Sequence, residues 1–277
     1  MRKALAILAL LAVATALGGA GCADRFVLPP EPHPAPDDGS PHENIAYRDG
    51  VVEAFHARSP GAQNAEPEAF VLRFSGDAGG AAKYFASRWQ NRPVEVWVVN
   101  YPGYGGSTGP RTLRALAAAS LAAYDELRKR ASDRPIILEG FSLGTVPALH
   151  VAANRPVAGL ILQNPPPLRQ TIMRHGWWNL WILAGAVASG VPKEFDSIAN
   201  AQHSTAPAVF MIAEKDRSIA PELQRRIRDA YAGEKRLILQ RGADHADPLD
   251  AATEAELHEA MDWLLKRSRA GEAPAEP

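Results

Sequence analysis

The stretch Ile136-Ile137-Leu138-Glu139-Gly140-Phe141-Ser142-Leu143-Gly144 constrains this chain more than any other. Its aliphatic start predicts a buried strand over Pro135–Glu139, and the residues from Leu143 to Ala153 predict a helix. Between them only a very sharp turn fits. Glycines at 140 and 144 flank a serine because such a turn leaves no room for a Cβ beside the neighbouring strands, and it lifts the Ser142 hydroxyl above a sheet. The start of the following helix favours negative charge at that point. A turn of this kind needs strands on both sides of it, so the motif predicts a sheet covered by helices.

The remaining pattern agrees. Between about Tyr47 and Arg269, short apolar runs alternate with longer amphipathic segments, as in an α/β fold with a mostly parallel central sheet and helices on both faces. Further strands are predicted at Val51–Ala57, Ala69–Phe74, Val94–Asn100, Val157–Gln163, Ala208–Ala213 and Arg236–Gln240. Several are continuously apolar, which suits central strands buried on both faces. Further helices are predicted at Ala78–Gln90, Thr112–Ala131, Pro221–Ala232 and Ala251–Arg267. In the second of these, Leu113, Leu116, Ala117, Ser120, Leu121, Tyr124 and Leu127 form a core-facing stripe at helical spacing. With 277 residues and 46% apolar side chains there is ample material for one large core. Thirty basic residues against 31 acidic ones, with no long basic run, argue against nucleic acid as a partner.

A serine hydroxyl is a poor nucleophile unless a base takes its proton and a third group orients the base. After the strand ending at Ala213 comes Glu214-Lys215-Asp216-Arg217-Ser218-Ile219-Ala220-Pro221. After the last predicted strand comes Gly242-Ala243-Asp244-His245-Ala246-Asp247. His245 is the histidine that falls on a predicted loop at the right edge of the sheet. His150 and His258 fall on helices, His175 in a probable covering segment and His203 before a strand. Glu214, Asp216, Asp244 and Asp247 are the acids on these two loops.

The Gly-x-Ser-x-Gly turn and the order Ser142, Asp216, His245 resemble the α/β-hydrolase superfamily from about residue 69 to 267, particularly its small-lid, membrane-associated serine hydrolases. The resemblance implies an α/β-hydrolase fold and an ester-cleaving activity through an acyl-enzyme, with no cofactor and no metal. It places the acid on the loop after the penultimate strand and the base on the loop after the last, positions filled here by Asp216 and His245; Asp216 is preferred to Glu214, its nearest rival, and to the more distant Asp244 and Asp247, because Ser218-Ile219-Ala220-Pro221 matches the family's approach to the next helix. It also implies an oxyanion hole made by the backbone amides of Leu143 and Asp77. Members of the family often carry His-Gly-Asn where this chain has Ser75-Gly76-Asp77, and a carboxylate near a developing oxyanion repels it. Asn100-Tyr101-Pro102-Gly103-Tyr104-Gly105-Gly106-Ser107-Thr108-Gly109 resembles a glycine-rich loop bordering the pocket, with Tyr101 or Tyr104 as contacts or as packing; it lacks a lysine at phosphate-loop spacing. Residues 164–205 form the expected lid, where Trp177, Trp178 and Trp181 cluster, either as a packed cap or as a contact for an acyl chain or a membrane interface.

The N-terminus is read separately. Arg2 and Lys3 precede an apolar stretch from Ala4 to Leu17, then Gly18-Gly19-Ala20-Gly21 and Cys22, the single cysteine. This resembles a bacterial lipoprotein signal, which implies cleavage before Cys22, lipidation of its sulfur and a place in the cell envelope facing the periplasm, with the outer membrane as a possible destination. Two or more acyl chains anchor stably where one binds marginally. From Leu28 to Asn44 the chain is dominated by proline and polar residues, and reads as a semi-rigid spacer able to hold a domain on the order of 50 Å from the lipid surface. The expected organisation is a signal peptide over 1–21, a lipidated cysteine and spacer over 22–46, the hydrolase domain over 47–269 and a disordered tail over 270–277.

The expected function is therefore a serine hydrolase acting on a carboxylester or thioester, with a small-molecule or lipid-like acyl substrate and the membrane as partners. A peptidase of the same fold, or a noncatalytic envelope lipoprotein that uses the fold for binding, remains open at the level of sequence.

Overall fold

The computed structural model describes residues 21–28, 38–76, 81–175 and 181–271. Eight strands form one sheet: β1 (His42–Tyr47), β2 (Gly50–Arg58), β3 (Ala69–Phe74), β4 (Val94–Val99), β5 (Ile136–Phe141), β6 (Gly159–Gln163), β7 (Ala208–Ala213) and β8 (Lys235–Gln240). Their spatial order is β1-β2-β4-β3-β5-β6-β7-β8. β1 and β2 run antiparallel, as do β2 and β4, and all other neighbours are parallel. β3, β4 and β7 are buried along their whole length and are apolar apart from Arg73 of β3 and Glu95 of β4, which pair with Glu139 and Arg130. β8 closes one edge, and its exposed Lys235 and Arg236 keep that edge from pairing with another chain.

Among the described residues from 38 onward, the α-helices are, in chain order, α1 (Ala82–Ser87), α2 (Leu113–Ala131), α3 (Thr145–Asn154), α4 (Leu168–His175), α5 (Trp181–Ser189), α6 (Ser197–His203), α7 (Pro221–Ala230) and α8 (Ala251–Gly271). The core lies in two layers, one on each face of the sheet. The larger holds α2, α3 and the sheet residues Phe70, Leu72, Phe74, Leu138 and Phe210; the other packs α1 and α8 on Val71, Val96, Ile137 and Val209. Every member of the predicted α2 stripe except Leu121 is fully buried, and Leu121 packs against the same core from a partly exposed position. Thr112 caps α2 by accepting from the Ala115 amide.

Crossing from β3 outward to β4 and then back to β5 makes β3 and β5 neighbours at a topological switch point. The crevice above the carboxyl ends of two such strands is where open α/β sheets bind ligands. Gly76 follows β3 and Ser142 follows β5 at that crevice, while Asn164, Asp216 and His245 follow β6, β7 and β8 along the same edge.

Several sequence expectations are corrected. Residues 42–46, assigned to the spacer, belong with Tyr47 to strand β1, paired in register with β2 through Tyr47↔Gly50. Only Ile45 of its six residues is buried, so no apolar alternation marks it; backbone pairing holds it. The last helix runs to Gly271, past the expected domain end at 269. The lid span contains α4, α5 and α6. Most consequential, residues 21–27 are helical, and Ala23 and Leu28 are buried in the main core with exposures of 0% and 4%. A spacer beginning at Leu28 and holding the domain 50 Å away is incompatible with that packing. The signal segment up to residue 20, spacer residues 29–37, Asp77, Trp177, Trp178 and the tail from 272 lie outside the described residues.

Candidate active site

β5 ends at Phe141, and Ser142 adopts φ 51°, a left-handed backbone that costs a non-glycine residue about 1–3 kcal/mol. The neighbours that hold it there leave no space. A Cβ at Gly144 would stand 2.0 Å from the Phe74 carbonyl oxygen of β3, and one at Gly140 would stand 2.6 Å from Thr145 Cα. The Thr145 hydroxyl donates to the Ser142 carbonyl at 2.8 Å and so closes the turn into α3. Seven consecutive residues of α3, from Thr145 to Val151, are buried, which anchors the helix behind the serine.

Ser142 Oγ lies 2.8 Å from His245 Nε2, and His245 Nδ1 lies 2.7 Å from Asp216 Oδ2. Asp216 is 5% exposed and its carboxylate is fully engaged. Oδ1 accepts from the amides of Ser218 and Ile219 at 2.9 and 2.7 Å, and Oδ2 accepts from Gln224 Nε2 at 2.7 Å as well as from the histidine. With both carboxylate oxygens occupied by donors, Oδ2 is placed to accept from His245 Nδ1–H, the tautomer in which Nε2 offers its lone pair to the serine hydroxyl. The other acid candidates are used elsewhere: Glu214 accepts from the Gly242 amide, Asp244 pairs with Arg217, and Asp247 accepts from the Asp244 amide.

Two further residues build the site without having been legible in the sequence. Asn164, fully buried at the end of β6 with φ 52°, donates from Nδ2 to the His245 carbonyl at 2.8 Å and accepts from the Ala213 amide at 2.9 Å. It therefore ties the loops after β6, β7 and β8 together. Gln224, on α7 and fully buried, holds Asp216 from behind and also donates to the Ile219 carbonyl. Asp244 stiffens the histidine loop by accepting from the amides of Arg217 and His245 at 2.9 and 2.8 Å. Those bonds and the Arg217 side chain hold its carboxyl down at about 2. Because this folded value lies below the ordinary one, the support is complete above the usual carboxylate range and fades only as pH falls toward 2.

A cleft of about 410 Å³ opens over Ser142. Leu143, Pro166, Leu168, Ile172 and Ile219 make it apolar, and Thr171 and His175 add polar groups from α4. Helix α4 is fastened to the acid loop by His175 Nε2 on the Ser218 carbonyl at 2.9 Å and to the first turn of α7 by Arg174 on Glu222 at 2.6 Å. A larger cleft of about 520 Å³ beside Arg73, Arg88 and Glu254 does not have Ser142 in its wall, so the serine selects the smaller one. Gly76 approaches the serine closely: a Cβ there would stand 3.2 Å from Ser142 Cβ. Leu143 follows the serine directly in the turn, and Asp77, the other expected oxyanion donor, falls outside the described residues. The glycine-rich loop does not line this cleft. Glu53 of β2 pins it by accepting from the Gly106 amide at 2.7 Å and Asn100 Nδ2 at 3.0 Å, and Tyr101 and Tyr104 are each 1% exposed. Tyr101 reaches the site indirectly, through its hydroxyl on the Ser75 carbonyl.

Fold and site together define an α/β hydrolase. A sequence model of the alpha/beta hydrolase family matches residues 68–210, just over half of the chain, and the chain belongs to that family. Among curated proteins it is 34% identical over 91 residues to human alpha/beta hydrolase domain-containing protein 17B, covering 32% of each chain. It is 24% identical over 189 residues to the lysophosphatidylserine lipase ABHD12 of Macaca fascicularis, covering 59% of this chain and 45% of that one. The chain thus spans between about a third and half the length of these relatives. Among solved structures, Est1E from Butyrivibrio proteoclasticus superposes with a TM-score of 0.64 at 17% identity, over 82% of this chain and all of that one. Pyrococcus horikoshii acylaminoacyl peptidase gives 0.62 at 12% identity, over 83% and 41%. At these identities the likeness is one of fold.

Proposed function

We propose that this chain is a serine hydrolase that cleaves a carboxylester through an acyl-enzyme, and that a lipid on Cys22 tethers it to a bacterial envelope membrane. The observation that carries the enzymatic reading is the unbroken hydrogen-bonded line from Asp216 through His245 to Ser142, ending in an apolar cleft. In the first step the Ser142 proton passes to His245 Nε2 while Oγ bonds to the ester carbonyl carbon. The tetrahedral oxyanion so formed needs donors at the turn, of which the Leu143 amide is one. The imidazolium then gives its proton to the departing alkoxide as the carbon–oxygen bond breaks. Water repeats the sequence, with His245 again as base, and frees the acid. Thioesters share this transition-state charge and belong to the same proposal. Cys22 is exposed and unpaired, as a lipid attachment point requires.

A fluorophosphonate probe tests the reading. Stoichiometric labelling of the wild type, lost in Ser142→Ala, is the expected result, together with faster turnover of acyl esters than of aminoacyl amides. Folded protein that remains unlabelled would instead mark a noncatalytic binder, and preferential amide cleavage a peptidase. Incorporation of labelled fatty acid into wild type but not Cys22→Ser checks the anchor.

Gln224 provides a finer test as a positioning residue. Its removal in Gln224→Leu leaves Asp216 with one hydrogen bond fewer, so the carboxylate orients His245 less firmly. We expect kcat to fall by about tenfold to a hundredfold, the equivalent of about 1–3 kcal/mol. KM for a soluble ester should change little, because Gln224 does not line the cleft. An unchanged kcat, or a loss confined to KM, would overturn the positioning role.

A further inference from the structure

The cleft over Ser142 has two wall residues that come from the far N-terminus, Phe26 and Val27. They sit on the short helix over residues 21–27, where positions four apart share a face. Ala23 and Val27 face the domain: Ala23 is completely buried and Val27 packs against the main core. Cys22 and Phe26 share a neighbouring face that is open; Cys22 is exposed, and Phe26, at 56%, is among the large apolar side chains left in solvent. The segment is fastened, since Asp24 Oδ1 accepts from the Leu113 amide at the start of α2 at 2.8 Å, and Leu28 is buried just beyond it.

Four residues of helix advance about 6 Å. The polar layer on one side of a bilayer is about 5–8 Å thick, half the difference between the full and hydrocarbon thicknesses. A lipid-bearing Cys22 lying in that layer therefore brings Phe26, one helical turn away, to the membrane surface, and Phe26 borders the mouth of the cleft. Next to α4, on the same lid, α5 has nine residues without a charge, and its Gly185, Ala186 and Val187 are only partly covered.

From this juxtaposition we infer that the segment from Cys22 to Leu28 is a working wall of the acyl pocket, and that the pocket mouth rests on the membrane. The substrate is accordingly a glycerolipid ester drawn sideways from the bilayer, one acyl chain passing between Phe26 and Ile172. This rests on the serine-hydrolase and Cys22-lipid readings above, and it names their substrate class.

The experiment uses the full-length lipidated protein in vesicles of phosphatidylethanolamine and phosphatidylglycerol, compared with soluble p-nitrophenyl butyrate and palmitate. Val27→Trp narrows the wall, and the palmitate-to-butyrate ratio of kcat/KM should fall by about tenfold or more. Phe26→Asp, at an exposed position that tolerates substitution, should lower the ratio of vesicle phospholipid hydrolysis to soluble butyrate hydrolysis by a similar factor. Cys22→Ser should reduce that second ratio further still. If both ratios stay at wild-type values while fluorophosphonate still labels Ser142, the wall and membrane claims are wrong and the hydrolase reading survives. If the wild type itself is not labelled, both fall together.

Discussion

Replacing His245 with alanine is expected to lower turnover by about 10⁴–10⁶-fold while leaving the fold intact, because in the proposed mechanism serine, histidine and aspartate act as a unit. The size follows from the geometry. Nε2 lies 2.8 Å from Ser142 Oγ, where the proposed mechanism needs a proton acceptor, and the other imidazole nitrogen is bonded to Asp216. The side chain is partly exposed, and alanine at 245 keeps the backbone amide on Asp244 and the backbone carbonyl on Asn164, so the loop need not rearrange. Single-turnover measurement with an activated ester is the check, with circular dichroism to confirm folding. Turnover within tenfold of wild type would remove His245 from the mechanism and with it the reading of the whole hydrogen-bonded line.

The second large effect concerns stability. Gly144→Ala should destabilise the protein by about 4 kcal/mol or more, a loss usually seen only where a buried backbone is forced apart. The added carbon would lie 2.0 Å from the Phe74 oxygen and 2.4 Å from its carbonyl carbon, and both belong to strand backbone in the centre of the sheet. Neither the turn nor β3 can yield without breaking the parallel pairing of β3 with β5. Gly185→Ala is the matching control. It lies within α5 with nothing within 4 Å of the added carbon, and it should stabilise by about 0.5–1 kcal/mol through helix propensity alone. Urea unfolding of the two variants measures the contrast, and a Gly144→Ala midpoint near wild type would show that the turn is looser than its contacts imply.

The parts of the site that were legible in advance are those with local signals. Ser142 announced itself by two glycines at a strand-to-helix turn, and the structure places His245 and Asp216 on the loops after β8 and β7, with His245 between the serine and the aspartate and in contact with both. Strand and helix positions followed from continuous apolar runs and from the α2 stripe. Asn164 and Gln224 left no such trace. A buried asparagine that joins residue 213 to residue 245, and a helix glutamine that supports a carboxylate eight positions earlier, look like any other polar residue until the chain is folded around them. Strand β1 was missed because an edge strand is held by backbone bonds, with one buried side chain in six.

The glycine-rich loop shows the same division from the other side. Its tight turns were readable from Gly103, Gly105 and Gly109, all at positive φ, but its distance from the cleft was decided by Glu53 across the sheet. What the sequence determined alone is the alternation of elements and the chemistry carried at each loop, because helix and strand periodicity and turn sterics act over a few residues. Tertiary structure alone decided which loops touch, which polar groups support the carboxylate, and that residues 23–28 fold back onto the domain. Those outcomes depend on contacts between segments tens to hundreds of residues apart, where burial of Ala23 and Leu28 in a shared core outweighs the extended character that composition assigns to the residues beside them.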